Sequence, residues 1–191
     1  MDADNSSPER DLRFRNLRRE DLAMLANWLA EPHVRRWWQH DPAAVESDFG
    51  PAIDGSDPTR YFVVLEGTRP VGLIQSYRIG DHPEWMSALR VVKADPDTVG
   101  IDYLIGEVDS IGRGLGTAMI RRFVDQVWRD YPFALAVVVA VQQDNPRSWR
   151  ALEKAGFRRM WSGELESDDP SDSGPNHLYE LKRFESPQHP S

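Results

Sequence analysis

The chain has 191 residues, 40% of them aliphatic or aromatic, with no cysteine and 23 basic against 31 acidic side chains, a net charge of −8. That length supports one sizeable hydrophobic core, and the lack of cysteine excludes disulfides, thiolate metal ligands and a cysteine nucleophile. The negative balance disfavours a protein that tracks nucleic-acid phosphates and favours a cationic partner, and no apolar run is long enough to span a bilayer.

The opening "MDADNSSPER" is acidic and polar, the wrong chemistry for a secretory or mitochondrial leader. Residues 1–10 are therefore expected to be a flexible tail, 11–185 a single domain, 186–191 ("SPQHPS") a second tail, and the location cytoplasmic. "DLRFRNL" alternates Leu12 and Phe14 with polar residues, a strand pattern, and "REDLAMLANWLAE" then spaces Leu22, Leu25 and Leu29 as on one helix face. "YFVVLEGTRPVGLIQSYRI" is two apolar runs around Glu66-Gly67-Thr68-Arg69-Pro70, which predicts an antiparallel hairpin. An irregular stretch leads to "TVGIDYLIG", another strand. A helix from about Gly116 to Trp128 follows, with Met119, Phe123 and Val127 along one face. "FALAVVVAVQ" is continuous and β-branched, so it predicts a buried strand. "NPRSWRALEKAGF" predicts a helix that starts at Asn145, takes Pro146 at its first position and closes at Gly156. An acidic loop, "ELESDDPSDSGPN", precedes the final alternating strand "HLYELKRF". The order β-α-β-β-β-α-β-α-β predicts an α/β fold with a mixed sheet covered by helices.

One short stretch stands apart: "VDSIGRGLGTAM" sets Gly112, Gly114 and Gly116 between a strand and a helix. Such a junction aims unpaired N–H groups and the positive end of the helix dipole at an anion, and glycines let a phosphate approach the backbone. The dinucleotide pattern G-x-G-x-x-G/A is not met, because Thr117 stands at its last position, and no Gly-Lys-Ser/Thr follows. Taken alone, the stretch is equally a Gly-rich connector.

Together with "NPRSWRALEKAGF" one buried strand later, "GRGLGTAMIRRFV" resembles the GCN5-related N-acetyltransferase (GNAT) superfamily. "DLRFRNLRREDLAMLANWLAEPHVRRWW", "VGLIQSY" and "GIDYLIGEVDSIGRGLGT" resemble its aminoglycoside 6'-N-acetyltransferases, and the likeness runs from about Leu12 to Phe184. The resemblance implies a single-domain GNAT fold, a central mixed, twisted β-sheet flanked by helices. It implies acetyl-CoA as cosubstrate and no metal. Backbone groups of Gly112, Arg113, Gly114, Leu115, Gly116 and Thr117 would bind the pyrophosphate. Tyr103, Leu104 and Ile105 would run beside the pantetheine arm, and Asn145 would hydrogen-bond it.

For chemistry the candidate is Asp102. Acetylation needs a neutral amine, and a carboxylate beside the thioester can orient an ammonium and accept its proton. A backbone N–H near Leu104 would stabilise the oxyanion. Trp37 and Trp38 would wall the substrate, one of the pair being core. Gln75 and Tyr77 in "VGLIQSY", Asp81 and Glu84 in "GDHPEW", and acidic residues of the Asp168 to Asp172 loop, Asp168 first, would join Asp102 in holding amino groups. His33, His40 and His82 are expected at the surface, without metal-ligand spacing. Two positions depart from the family pattern. Leu152 stands where a tyrosine would protonate the departing sulfur, leaving Tyr179 as a weaker candidate, and Ala140 and Val141 stand where a strand-end acid is usual. Phe49 stands where a tyrosine is expected. The expected activity is acetylation of a primary amine of a cationic small molecule, foremost the 6'-amine of an aminoglycoside, by direct attack in a ternary complex. The alternatives are acylation of a lysine-derived siderophore precursor and a non-catalytic acyl-CoA or drug sensor. No nucleic-acid or membrane partner is expected, and the chain would be a monomer or homodimer.

Overall fold

The computed structural model describes residues 10–167 and 169–183; the remaining residues of both expected tails, together with Asp168, Phe184 and Glu185, lie outside the described residues. Seven strands form one sheet in the order β1-β2-β3-β4-β5-β7-β6. They are β1 (Leu12–Asn16), β2 (Arg60–Glu66), β3 (Arg69–Arg78), β4 (Val99–Ile105), β5 (Ala136–Gln142), β6 (Arg158–Glu164) and β7 (Pro175–Lys182). The helices are α1 (Leu22–Ala30), α2 (Pro32–Arg35), α3 (Val45–Ile53), α4 (Pro83–Ala88), α5 (Leu115–Asp130) and α6 (Pro146–Lys154). Among the described residues no helix is long and apolar enough to cross a membrane.

The strands separate the core into two principal clusters by their period of two. Phe62, Val64, Ile74, Val99 and Ile101 face α5, whose Met119, Phe123 and Val127 are fully buried against them. Val63, Leu73 and Leu104 face the other way and pack with Leu25, Trp28 and Leu29 of α1. The expected hairpin forms with a tighter turn than its composition suggested: Glu66 pairs Arg69 and Leu65 pairs Pro70, so only Gly67 and Thr68 connect the strands. Pro70 is tolerated because β4 begins to pair with β3 only at Gly72, leaving Pro70 no ladder hydrogen bond to donate on that side.

β6 was not foreseen. It is an edge strand, Arg-Arg-Met-Trp-Ser-Gly-Glu, with no apolar alternation because most of its side chains face solvent. α3 and α4 were likewise unannounced, α4 lying in the stretch expected to be irregular.

What positions the site is the middle of the sheet. β4 and β5 are parallel and pair only at Val99 with Val137 and at Gly100 with Val138. Beyond Gly100 the two strands part, so the rest of β4 has β3 on one side and an opening on the other.

Candidate active site

The opening between β4 and β5 continues into a cleft of about 600 Å³. Its walls come from α2 and the segment after it, β3, α4, β4, the start of α5, β5, the start of α6 and the β6–β7 loop.

At one end lies the glycine turn. Gly112 and Gly114 adopt φ of +76° and +78°, a left-handed conformation that side chains disfavour, and nothing stands within 4 Å of where a Cβ would be. The turn therefore ends in open space in front of α5. Gly114 is the N-cap of that helix, without a side-chain cap. The first helical closure is Ala118 N–H to the Gly114 carbonyl at 3.2 Å, so the N–H groups of Leu115, Gly116 and Thr117 precede any intrahelical partner. Leu115 contributes main chain only, its side chain being 1% exposed in the core. Arg113 is exposed, and its carbonyl accepts from Arg10. Gly116 packs toward the sheet, where a Cβ would lie 3.9 Å from Ile105. Across the opening, the Asn145 side-chain oxygen accepts from the Ser148 N–H at 3.2 Å and caps α6, while the residue also lines the cleft.

Asp102 lies farther along β4. Its carboxylate accepts 2.8 Å from Gln75 Nε2 and a further hydrogen bond from Tyr77. Burial raises its pKa to about 6 against the hydrogen bond from Gln75, with the negative charge of Asp172 raising it further. Asp172 also titrates near 6, raised by burial and lowered by a 2.7 Å bond from the Ser167 hydroxyl. Asp169 adds a further negative charge at this end, and Asp144 lines the cleft next to Asn145.

Several expected residues sit elsewhere or act differently. Tyr77 is buried beneath the cleft, its ring lying where a Cβ on Gly100 would come within 2.5 Å, so a glycine is needed there for the phenol to reach Asp102. Asp81 pairs with Arg78 at 3.2 Å and Glu84 with His82 at 3.4 Å; both are exposed and neither lines the cleft, whereas Trp85 does. Leu104 is a correction in orientation. It pairs with Leu73, and its carbonyl lies on the β3 side against Gly72, so its N–H points to β3 as well. The alternating residues Tyr103 and Ile105 present their main chain to the opening, where the Ile105 carbonyl accepts from His33 Nε2 at 2.9 Å. Trp37 and Trp38 both line the cleft, and Trp38 also packs on the α1 core. His33 and His40 are half-buried in the cleft wall instead of lying at the surface, and the His82 side chain is largely covered. Leu152 is fully buried in the α5-side core, and Tyr179, also fully buried, donates to Glu153 at 2.8 Å. Neither reaches the cleft.

Sequence reasoning missed Ser148, Trp85 and the cleft roles of His33 and Asp144. For Ser148 a signal existed: it stands one helical turn before Leu152 and so shares its face.

A family model described as an acetyltransferase (GNAT) domain matches residues 18–165. The aminoglycoside N(6')-acetyltransferase type 1 of Klebsiella pneumoniae is 30% identical over 153 residues, covering 77% of this chain and 74% of the relative. A lysine N-acyltransferase of Mycobacterium tuberculosis is 26% identical over 146 residues, 72% of this chain and 64% of the relative. The crystal structure of aminoglycoside acetyltransferase AAC(6')-Ib with coenzyme A and kanamycin superposes with a TM-score of 0.77 at 27% identity, covering 90% of this chain and 95% of that one. With the split sheet, the glycine turn and these matches together, the chain belongs to the GNAT acetyltransferase family.

Proposed function

We propose that the protein is an acetyl-CoA-dependent N-acetyltransferase for a primary amine of a cationic small molecule, foremost the 6'-amine of an aminoglycoside, acting by direct attack in a ternary complex. The observation that carries this reading is that the cleft holding a half-buried carboxylate with a pKa of about 6 reaches, at Ile111 and Gly116, an unoccluded glycine turn at a helix start. A pyrophosphate fits the first: free N–H groups, open space at both left-handed glycines and the positive end of α5. An ammonium fits the second, where Asp102 faces the added carboxylates of Asp169 and Asp172.

In this reading Asp102 orients the ammonium and takes its proton, directly or through water. A carboxylate with a pKa near 6 is a better base at neutral pH than one near 3.8 and is still ionised there. The amine nitrogen then attacks the thioester carbonyl. The cleft-facing main-chain N–H of Tyr103 stabilises the oxyanion, the part first assigned to Leu104. Asn145 and the open edge of β4 hold the pantetheine arm, and Trp37, Trp38 and Trp85 provide apolar walls. Asp169 and Asp172 take over from the strand-end acid that Ala140 replaces; Ala140 itself lines the cleft.

Acylation of a lysine-derived amine is the second reading, favoured by the likeness to the lysine N-acyltransferase. Release of coenzyme A thiol from acetyl-CoA, measured against aminoglycosides, polyamines and lysine derivatives, tests both. Turnover with aminoglycosides, and mass-spectrometric placement of the acetyl group at the 6'-nitrogen, are expected. Turnover with lysine derivatives alone would select the second reading, and coenzyme A binding with no turnover on any amine would make the protein a sensor.

A further inference from the structure

The leaving sulfur lacks its customary neighbour. On α6 the residue that would face it is Leu152, and that side chain is sealed in the core. One turn earlier on the same face stands Ser148, whose Oγ lies 2.8 Å from the Tyr103 hydroxyl oxygen, within the usual O–H···O range. Both residues line the cleft.

Their location follows from β4. Gly116 abuts Ile105 at the glycine turn, and Asp102 lies three residues back along the strand, a span of about 10 Å. A chain running from the turn to Asp102 must pass Tyr103. Asp102 shares a face of the sheet with Leu104, toward α1, whereas Tyr103 packs on the opposite face with the α5-side core. An amine held by Asp102 thus reaches the thioester from one face, and the sulfur, tethered to a group anchored at α5, lies on the other.

We propose that the hydroxyl pair of Tyr103 and Ser148 is the hydrogen-bond donor to the departing sulfur, an inference that rests on the acetyltransferase reading above. The new C–N bond forms as the amine attacks, and its surplus proton goes to water, Asp102 already holding the proton taken from the ammonium. The C–S bond then breaks, and its electron pair stays on sulfur. Tyr103 O–H donates to that thiolate while Ser148 O–H donates to the Tyr103 oxygen, so the charge is met by two aligned hydroxyls. Burial holds the Tyr103 phenol above its usual pKa. A thiol ionises near 8.5 by analogy with cysteine, so the phenol keeps its proton and donates a hydrogen bond; the proton that completes the thiol comes from solvent.

Calorimetry compares coenzyme A with desulfo-coenzyme A at pH 9, where much of the thiol is ionised, for the parent, Tyr103→Phe and Ser148→Ala. The parent is expected to prefer coenzyme A by about tenfold, Tyr103→Phe to lose that preference, and Ser148→Ala to lose part of it. In single-turnover acetyl transfer Tyr103→Phe should slow the chemical step by roughly 10²-fold, the scale of one oxyanion donor, and Ser148→Ala by less. Ser148→Ala leaves the aromatic packing of β4 intact, so it tests the pair even if the phenylalanine variant fails to fold. An unchanged preference and an unchanged chemical step in either folded variant overturn the proposal while leaving the acetyltransferase reading in place. A parent that binds neither ligand overturns both.

Discussion

At the α5 end of the cleft the main chain makes the site, whereas at the Asp102 end side chains from β3, β4 and the β6–β7 loop do. The glycine turn needs no particular side chain: two left-handed glycines keep the space open and the helix start supplies the N–H groups. The carboxylate end needs Asp102, a Gln75 amide and a Tyr77 phenol on it, and Asp172 across from it. A contiguous motif can build the first kind of site. Only the tertiary fold can build the second, and its burial sets the charge of the groups it gathers.

The largest effect should come from the side-chain end. Asp102→Asn keeps the size and the acceptor for Gln75 but cannot take a proton, so kcat/KM should fall by about 10²–10⁴-fold, the range of positioned acid–base groups. Coenzyme A affinity should be unchanged, because the turn is made of other atoms. In the parent, the base should be lost as pH falls below about 6, where Asp102 protonates. A variant that acetylates at the parent rate across pH would make Asp102 a structural residue.

The turn should respond in the opposite sense. Gly114→Val places a branched side chain at φ +78° and into the unoccupied space before α5. Left-handed backbone costs such a residue roughly 1–2 kcal/mol, and the methyl groups obstruct an approaching phosphate. The strain falls on the free and bound protein alike and lowers stability, so it is the obstruction that should drop coenzyme A affinity, by at least about tenfold or roughly 1.4 kcal/mol. The pH at which the base is lost should stay where it was, since the carboxylate end is untouched. Unchanged affinity by calorimetry in a folded Gly114→Val protein would detach the turn from the cosubstrate.

The same division explains what the sequence made legible. The turn, the Asn145 cap with Pro146 behind it and the apolar stripe of α5 are local patterns, and each formed where expected. β6 escaped because an edge strand with Arg158 and Arg159 at its start carries no buried face to read. Asp102 stands inside the quoted motif, but Asp172, whose charge faces it, lies 70 positions away, and nothing local separates Asp172, in the cleft wall, from Asp81, which is spent on Arg78. The Leu104 orientation was missed because alternation gives two answers until the β3 register is known. Ser148 meets Tyr103 only once α6 is laid against β4.

The smallest effect sharpens the contrast in stability instead of turnover. Burial lifts the Asp102 carboxyl from 3.8 to about 6, so between those pH values the folded protein holds a proton that the unfolded chain has released. Stability from this group is therefore greatest at acidic pH, declines as pH rises through the window and stays lower above it. Asp102→Asn has no charge to bury, and at pH 8 it should be the more stable protein by on the order of 2 kcal/mol. Urea unfolding would read this as a higher midpoint with an unchanged slope, and the advantage should shrink below pH 6 and vanish near pH 4. No such advantage is expected of Gly114→Val, which strains backbone and buries no charge. Equal midpoints for the parent and Asp102→Asn at pH 8 would mean that the carboxyl ionises near its ordinary value, and the acidic end would then have no electrostatic strain to spend on an incoming ammonium.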